Sequence, residues 1–209
     1  MANLVTTLRF LLLFLLVWMA YQAPPLVQLA NAPLVALIFA LDGLDGYIAR
    51  RRGEESLFGA IFDIAVDRVV ENVLWVVLAD LDLVPVWVPI VFLTRGILVD
   101  SLRSQGAARG ETPFGMMQTR IGRFLVAGRF MRLSYGVIKG VTFGWILFLQ
   151  PWPALAPSLW AQWSAPLGLA SQVLYVLAVV LCLLRGLPVL VEVAVHEAFR
   201  SRPGREAAP

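Results

Sequence analysis

Apolar runs alternate with short polar breaks along almost the whole chain, and the runs are too long for strands. Crossing a bilayer takes about 20 apolar residues in a helix, and runs of that order lie near residues 8–21, 33–49, 57–79, 84–104, 120–149 and 166–195. The pattern predicts an all-α integral membrane protein with six transmembrane helices, residues 1–209 forming a single membrane domain. The opening "MANLVTTLRF" spaces Asn3, Thr6 and Arg9 three residues apart. That predicts a short N-terminal amphipathic segment with one polar face in the headgroup layer. The first span reads as retained, because "MAYQAPP" places Tyr21 where a small residue would stand before cleavage at Ala23.

Composition sharpens the picture: 59% of the 209 residues are hydrophobic and 15% charged, with a mean hydropathy of +0.78. The net charge of +3 follows topology, so it points to anionic lipid or substrate and not to nucleic acid. Arginines cluster after the second span (Arg50, Arg51, Arg52), between the fourth and fifth (Arg109, Arg120) and at the end of the chain (Arg200, Arg202, Arg205). "QAPPLVQLANAP", "DLDLVP" and "QPWPALAPSLWAQWSAP", on the other side, contain no Lys or Arg. The positive-inside rule then puts both termini in the cytosol of a multi-pass inner-membrane protein. Trp87, Trp152, Trp160 and Trp163 fall at the outer connections and suit an interfacial aromatic belt. Cys182 lies in an apolar span as a packing or lipid-facing residue, and His196 has no metal-ligand partner nearby.

Four aspartates break the apolar pattern within "DGLDGYIARRRGEESLFGAIFDIAVD": Asp42, Asp45, Asp63 and Asp67. A charge near the centre of a membrane helix costs roughly 2.5–3.5 kcal/mol, so something must compensate them. Helical spacing puts Asp42, Asp45, Gly46 and Ala49 on one side of the second span, and Gly59, Asp63 and Asp67 in one stripe of the third. The basic break between these spans makes them adjacent and antiparallel, with the acids near the cytosolic end. A divalent cation between the carboxylates relieves their repulsion, and an oxygen-only donor set favours Mg²⁺ or Mn²⁺ over zinc. A purely structural alternative pairs the aspartates with helix arginines such as Arg95 or Arg103, and another class of function, a divalent-cation transporter, also carries intramembrane acids.

The spacing Asp42, two residues, Asp45-Gly46, two residues, Ala49-Arg50, eight residues, Gly59, three residues, Asp63, three residues, Asp67 resembles the signature of the CDP-alcohol phosphatidyltransferases at every position. The resemblance implies attack of an alcohol on the β-phosphorus of CDP-diacylglycerol, with release of CMP, in phospholipid biosynthesis. It implies two metal ions held by Asp42, Asp45, Asp63 and Asp67, with Asp67 also the catalytic base. It further implies that Gly46, Ala49, Arg50 and Gly59 bind the CDP moiety, and that the enzyme is a homodimer.

The acceptor is read from cations on the fourth and fifth spans: Arg95, Arg103, Arg123, Arg129, Arg132 and Lys139, the only lysine in the chain. Arg103, Arg123, Arg132 and Lys139 are the candidate ligands of an acceptor phosphate. "TRGILVDSLRS" and "IGR" resemble elements of the phosphatidylglycerophosphate synthase branch, which implies glycerol 3-phosphate, with inositol phosphate or another alcohol as the alternative. If the fifth helix starts at Arg120, Lys139 lies about 28 Å along it; either that helix protrudes or a polar cavity reaches the lysine. Gly136, Gly140 and Gly144 form a double GxxxG stripe on the same helix, suited to internal packing or to a dimer seam.

Overall fold

The computed structural model describes residues 2–52, 57–108 and 120–200, with side chains described throughout except at 2–3, 44–52, 57–58, 60, 103, 105–108, 120–121, 123, 127, 129 and 193–200. The described residues form helices and no strands: α1 (Ala2–Gln22), α2 (Pro25–Gln28), α3 (Asn31–Arg52), α4 (Leu57–Asp80), α5 (Trp87–Ala108), α6 (Arg120–Ala127), α7 (Arg129–Leu149), α8 (Trp152–Leu155) and α9 (Pro157–Arg200). Among the described residues, four stretches are long and apolar enough to cross a membrane: Leu4–Gln22, Pro25–Gly43, Phe130–Leu155 and Pro157–Glu192.

Prolines and one left-handed residue punctuate these helices. Pro24, with φ −58° and ψ 150°, separates α1 from α2, since a prolyl ring disfavours helical geometry in the residue before it. α4 ends in a paired-bond cap: Leu83 N donates to Leu78 O at 2.9 Å and Asp82 N to Ala79 O at 3.1 Å. Asp82 occupies the left-handed position with φ 56°, which short polar side chains tolerate better than most.

Two differences from the sequence pattern matter. The fifth predicted helix is interrupted at Gly128, where a Cβ would collide with the Phe124 carbonyl oxygen. Lys139 therefore lies about 15 Å along α7 from Arg129. The last helix starts at Pro157, so Trp160 and Trp163 lie on α9 and Pro166 lies within it; proline is tolerated in a first helical turn, where its missing N–H has no intrahelical partner to lose.

The chain divides into two compact units. In the first (Met1–Ile90 and Val137–Ala178), α1 packs on α3 and α4. Leu13, Leu16, Val35, Ile38, Leu74, Trp75, Phe143 and Leu147 form its buried apolar interior. The Trp75 and Phe143 rings meet at 4.6 Å. A Cβ on Gly140 would stand 3.6 Å from the Phe39 ring, so this glycine of the GxxxG stripe serves contact within the chain. Gly136 and Gly144 meet nothing within 4 Å. Tyr21 donates to Asp80 Oδ2 at 2.6 Å, tying the ends of α1 and α4.

The second unit (Val91–Gly136 and Val179–Pro209) has Val99, Val126 and Val189 at its centre. Arg95 is buried with its stem against Gly186, and the Arg185 guanidinium lies 4.9 Å from the Tyr135 ring centre. Cys182 is fully buried, which makes it a packing residue.

Candidate functional site: a carboxylate cluster of α3 and α4

α3 carries Asp42 in its C-terminal half, and α4 carries Asp63 and Asp67 one turn apart. One oxygen from each of the three carboxylates lies within 4.8 Å of the others. The i, i+4 rise of a helix puts two acids on one stripe of α4, and the neighbouring α3 supplies the third. The side chains of Asp42, Asp63 and Asp67 are 40%, 40% and 50% exposed, so the chain leaves the cluster open on one side.

Its other side is closed by a residue the sequence pattern had assigned to the headgroups. Arg9, 2% exposed on α1, reaches all three acids: Nη2 to Asp42 Oδ1 at 2.8 Å, Nη1 to Asp63 Oδ1 at 3.1 Å and Nη2 to Asp67 Oδ1 at 2.6 Å. Thr6, one turn earlier, is also buried. The predicted amphipathic face is thus corrected: α1 runs as one helix from Ala2, and its two described polar residues there turn inward. The reason is electrostatic, since a guanidinium gains far more from three carboxylates in a low-dielectric interior than from the headgroup layer. The aspartates do form ion pairs with an arginine, as the structural alternative held, but that arginine is Arg9 and not Arg95.

The acidic stripe continues one rung further than the signature. Glu71, four residues after Asp67 and 7% exposed, accepts from Lys139 Nζ at 2.9 Å and from Arg68 Nη1 at 3.2 Å. Lys139 is therefore engaged by an acid deeper in the bundle, which accounts for a lysine so far along an apolar helix. The four-residue spacing of Gly59, Asp63, Asp67 and Glu71 is legible in the sequence and was the available signal for this pair. Among the other predicted site residues, Gly59 is half-buried on α4 and Arg132 is exposed on α7. The side chains of Asp45, Gly46, Ala49, Arg50, Arg103, Arg123 and His196 lie outside the described ones.

The donor set fits a hard divalent cation. The three ligand atoms are carboxylate oxygens, the chemistry preferred by Mg²⁺ and Mn²⁺. That they gather around a guanidinium shows the pocket is complementary to positive charge.

Comparison with known proteins agrees with this arrangement. A family model described as CDP-alcohol phosphatidyltransferase matches residues 1–199. The chain is 28% identical over 156 residues to a CDP-diacylglycerol–glycerol-3-phosphate 3-phosphatidyltransferase of Bacillus subtilis (strain 168), covering 66% of this chain and 81% of that protein. It is 33% identical over 125 residues to a protein of the same description from Pseudomonas fluorescens, covering 58% and 64% respectively.

Proposed function

The chain belongs to the CDP-alcohol phosphatidyltransferase family, and on that ground we propose that it transfers a phosphatidyl group from CDP-diacylglycerol to glycerol 3-phosphate, giving phosphatidylglycerophosphate and CMP. The observation that carries the reading is the convergence of Asp42, Asp63 and Asp67 to within 4.8 Å, at the positions where the signature requires them. The acceptor follows from the descriptions of the two relatives and from the arginines of "TRGILVDSLRS".

Asp42, Asp45, Asp63 and Asp67 would hold two Mg²⁺ or Mn²⁺ ions. When bound, the metal supplies neutralisation of the diphosphate oxygens, the principal need of phosphoryl transfer. Asp67, the most exposed of the three described acids, takes the proton as the acceptor hydroxyl attacks the β-phosphorus. The bond to CMP breaks and CMP leaves with the electron pair. Gly46, Ala49 and Gly59 leave room for the nucleotide against α3 and α4, and the planar fork of Arg50 contacts the diphosphate. Arg103, Arg123, Arg132 and Lys139 receive the acceptor's phosphate. An ammonium carries three donors, so engagement of Lys139 with Glu71 is compatible with that role.

The topology we infer has six crossings. α4 and α5, with 24 and 22 residues, are about 36 and 33 Å long, enough to span hydrocarbon. What sets them apart from the four apolar spans is charge: α4 carries Asp63, Asp67, Arg68 and Glu71, and α5 carries Arg95, Asp100 and Arg103. Both termini and the carboxylate cluster then face the cytosol, and the chain acts as a homodimer among membrane lipids.

The test is CMP release by the purified protein in detergent with Mg²⁺ and CDP-diacylglycerol, offering glycerol 3-phosphate, inositol 1-phosphate, serine or no acceptor. Release with glycerol 3-phosphate alone, abolished by EDTA and restored by Mn²⁺, is the expected result. Release with a different acceptor would reassign the substrate, and absence of both release and CDP-lipid binding would turn the reading toward a cation carrier.

A further inference from the structure

A guanidinium at 2% exposure bonded to three carboxylates does more than pack α1 against its neighbours. The oxygens it holds belong to the acids whose ligand atoms lie within 4.8 Å of one another, and a divalent ion bound there would sit roughly 2.0–2.6 Å from each. The Arg9 nitrogens stand 2.6–3.1 Å from those carboxylates. Metal and guanidinium in place together would put a double and a single positive charge almost in contact, in an interior that screens them poorly. The same carboxylates serve one cation or the other.

We infer that Arg9 is the resident counter-cation of the carboxylate site: it holds Asp42, Asp63 and Asp67 together in the metal-free protein and yields them when metal binds. The inference rests on the reading of these acids as a metal site. It assigns α1 a part in the enzyme that neither the signature nor the spacing of its polar residues carries. Without Arg9, the three acids would repel one another at close range. With Arg9, the site stays assembled before metal arrives, and metal entry competes with an internal cation. Metal loading is thereby coupled to the attachment of the first helix to α3 and α4.

Three measurements on the full chain in detergent test this. Binding of Mn²⁺, followed by the electron paramagnetic resonance signal of the free ion, is compared in wild type, Arg9→Gln and Arg9→Lys. Arg9→Gln is expected to bind Mn²⁺ about tenfold tighter or more, as removal of a contacting unit charge implies, with Arg9→Lys close to wild type. In EDTA, Arg9→Gln melts below wild type, and Mn²⁺ restores more stability to it than to wild type. In the unmutated protein, Mn²⁺ should increase modification of Arg9 by phenylglyoxal, read by mass spectrometry of the N-terminal peptide; this decides the matter if Arg9→Gln does not fold. Equal or weaker Mn²⁺ binding by folded Arg9→Gln overturns the inference while leaving the metal site intact, as does an Arg9 equally protected with and without Mn²⁺. Absence of Mn²⁺ binding in every form removes the metal reading and this inference together.

Discussion

Replacing Lys139 by methionine removes an ammonium 2.9 Å from Glu71 Oε1 while keeping the length of the side chain. The side chains of Glu71 and Lys139 are 9% and 13% exposed, so the carboxylate left behind cannot recover its hydration. Breaking a buried pair from one side costs about 3–5 kcal/mol. Arg68 Nη1 still contacts Glu71 Oε2 at 3.2 Å, but that arginine is 29% exposed and relieves the charge in part. The expected loss is therefore about 2–3 kcal/mol. At about 2–4 °C of Tm per kcal/mol for a chain of this size, Lys139→Met should melt about 4–12 °C below wild type in detergent. Glu71→Gln, which strands the ammonium instead, should also destabilise. The double variant should recover most of the loss, because replacing both members by neutral groups is often close to neutral. Additive losses in the double variant, or a Lys139→Met melting temperature within about 2 °C of wild type, would refute the coupling. The same variants separate packing from substrate binding. A Michaelis constant for glycerol 3-phosphate that stays raised in the stabilised double variant assigns Lys139 to the acceptor phosphate; a constant that returns to wild type assigns it to Glu71 alone.

Two further outcomes follow from particular side chains. Asp67→Asn should abolish turnover while CDP-diacylglycerol binding stays measurable by retention of the lipid on the purified protein; full activity would remove Asp67 as the base. Gly186→Ala would bring a Cβ within 2.6 Å of Arg95 Cγ and 2.7 Å of its Nε, an overpacking that should cost about 1–3 kcal/mol in thermal unfolding, and an unchanged melting temperature would show that Arg95 moves aside freely.

The aspartate signature was legible because helical periodicity is local. Spacing of three and four residues fixes which side chains share a face, and a charge-poor membrane helix makes each acid conspicuous against its neighbours. Asp42, Asp63 and Asp67 meet in the structure, where α1 packs on both α3 and α4 and its Arg9 bonds all three acids. The interruption at Gly128 escaped the reading, since the residues on both sides carry the same apolar pattern and only backbone geometry exposes the collision a side chain would make with Phe124.

What the sequence by itself determined was therefore the family, the apolar helices and the acidic stripes, all properties of one helix or of two helices consecutive in the chain. What only the tertiary structure decided was the partner of each buried charge. Arg9 lies 54 and 58 residues from Asp63 and Asp67, and its three-residue spacing with Thr6 suited a headgroup face as well as an interior one. Glu71 and Lys139 likewise sit on helices far apart in the chain. A buried charge is neutralised by whichever opposite charge the packing brings within reach, and the energy that selects it is Coulombic and depends on distance in space, a quantity that periodicity along one helix does not encode.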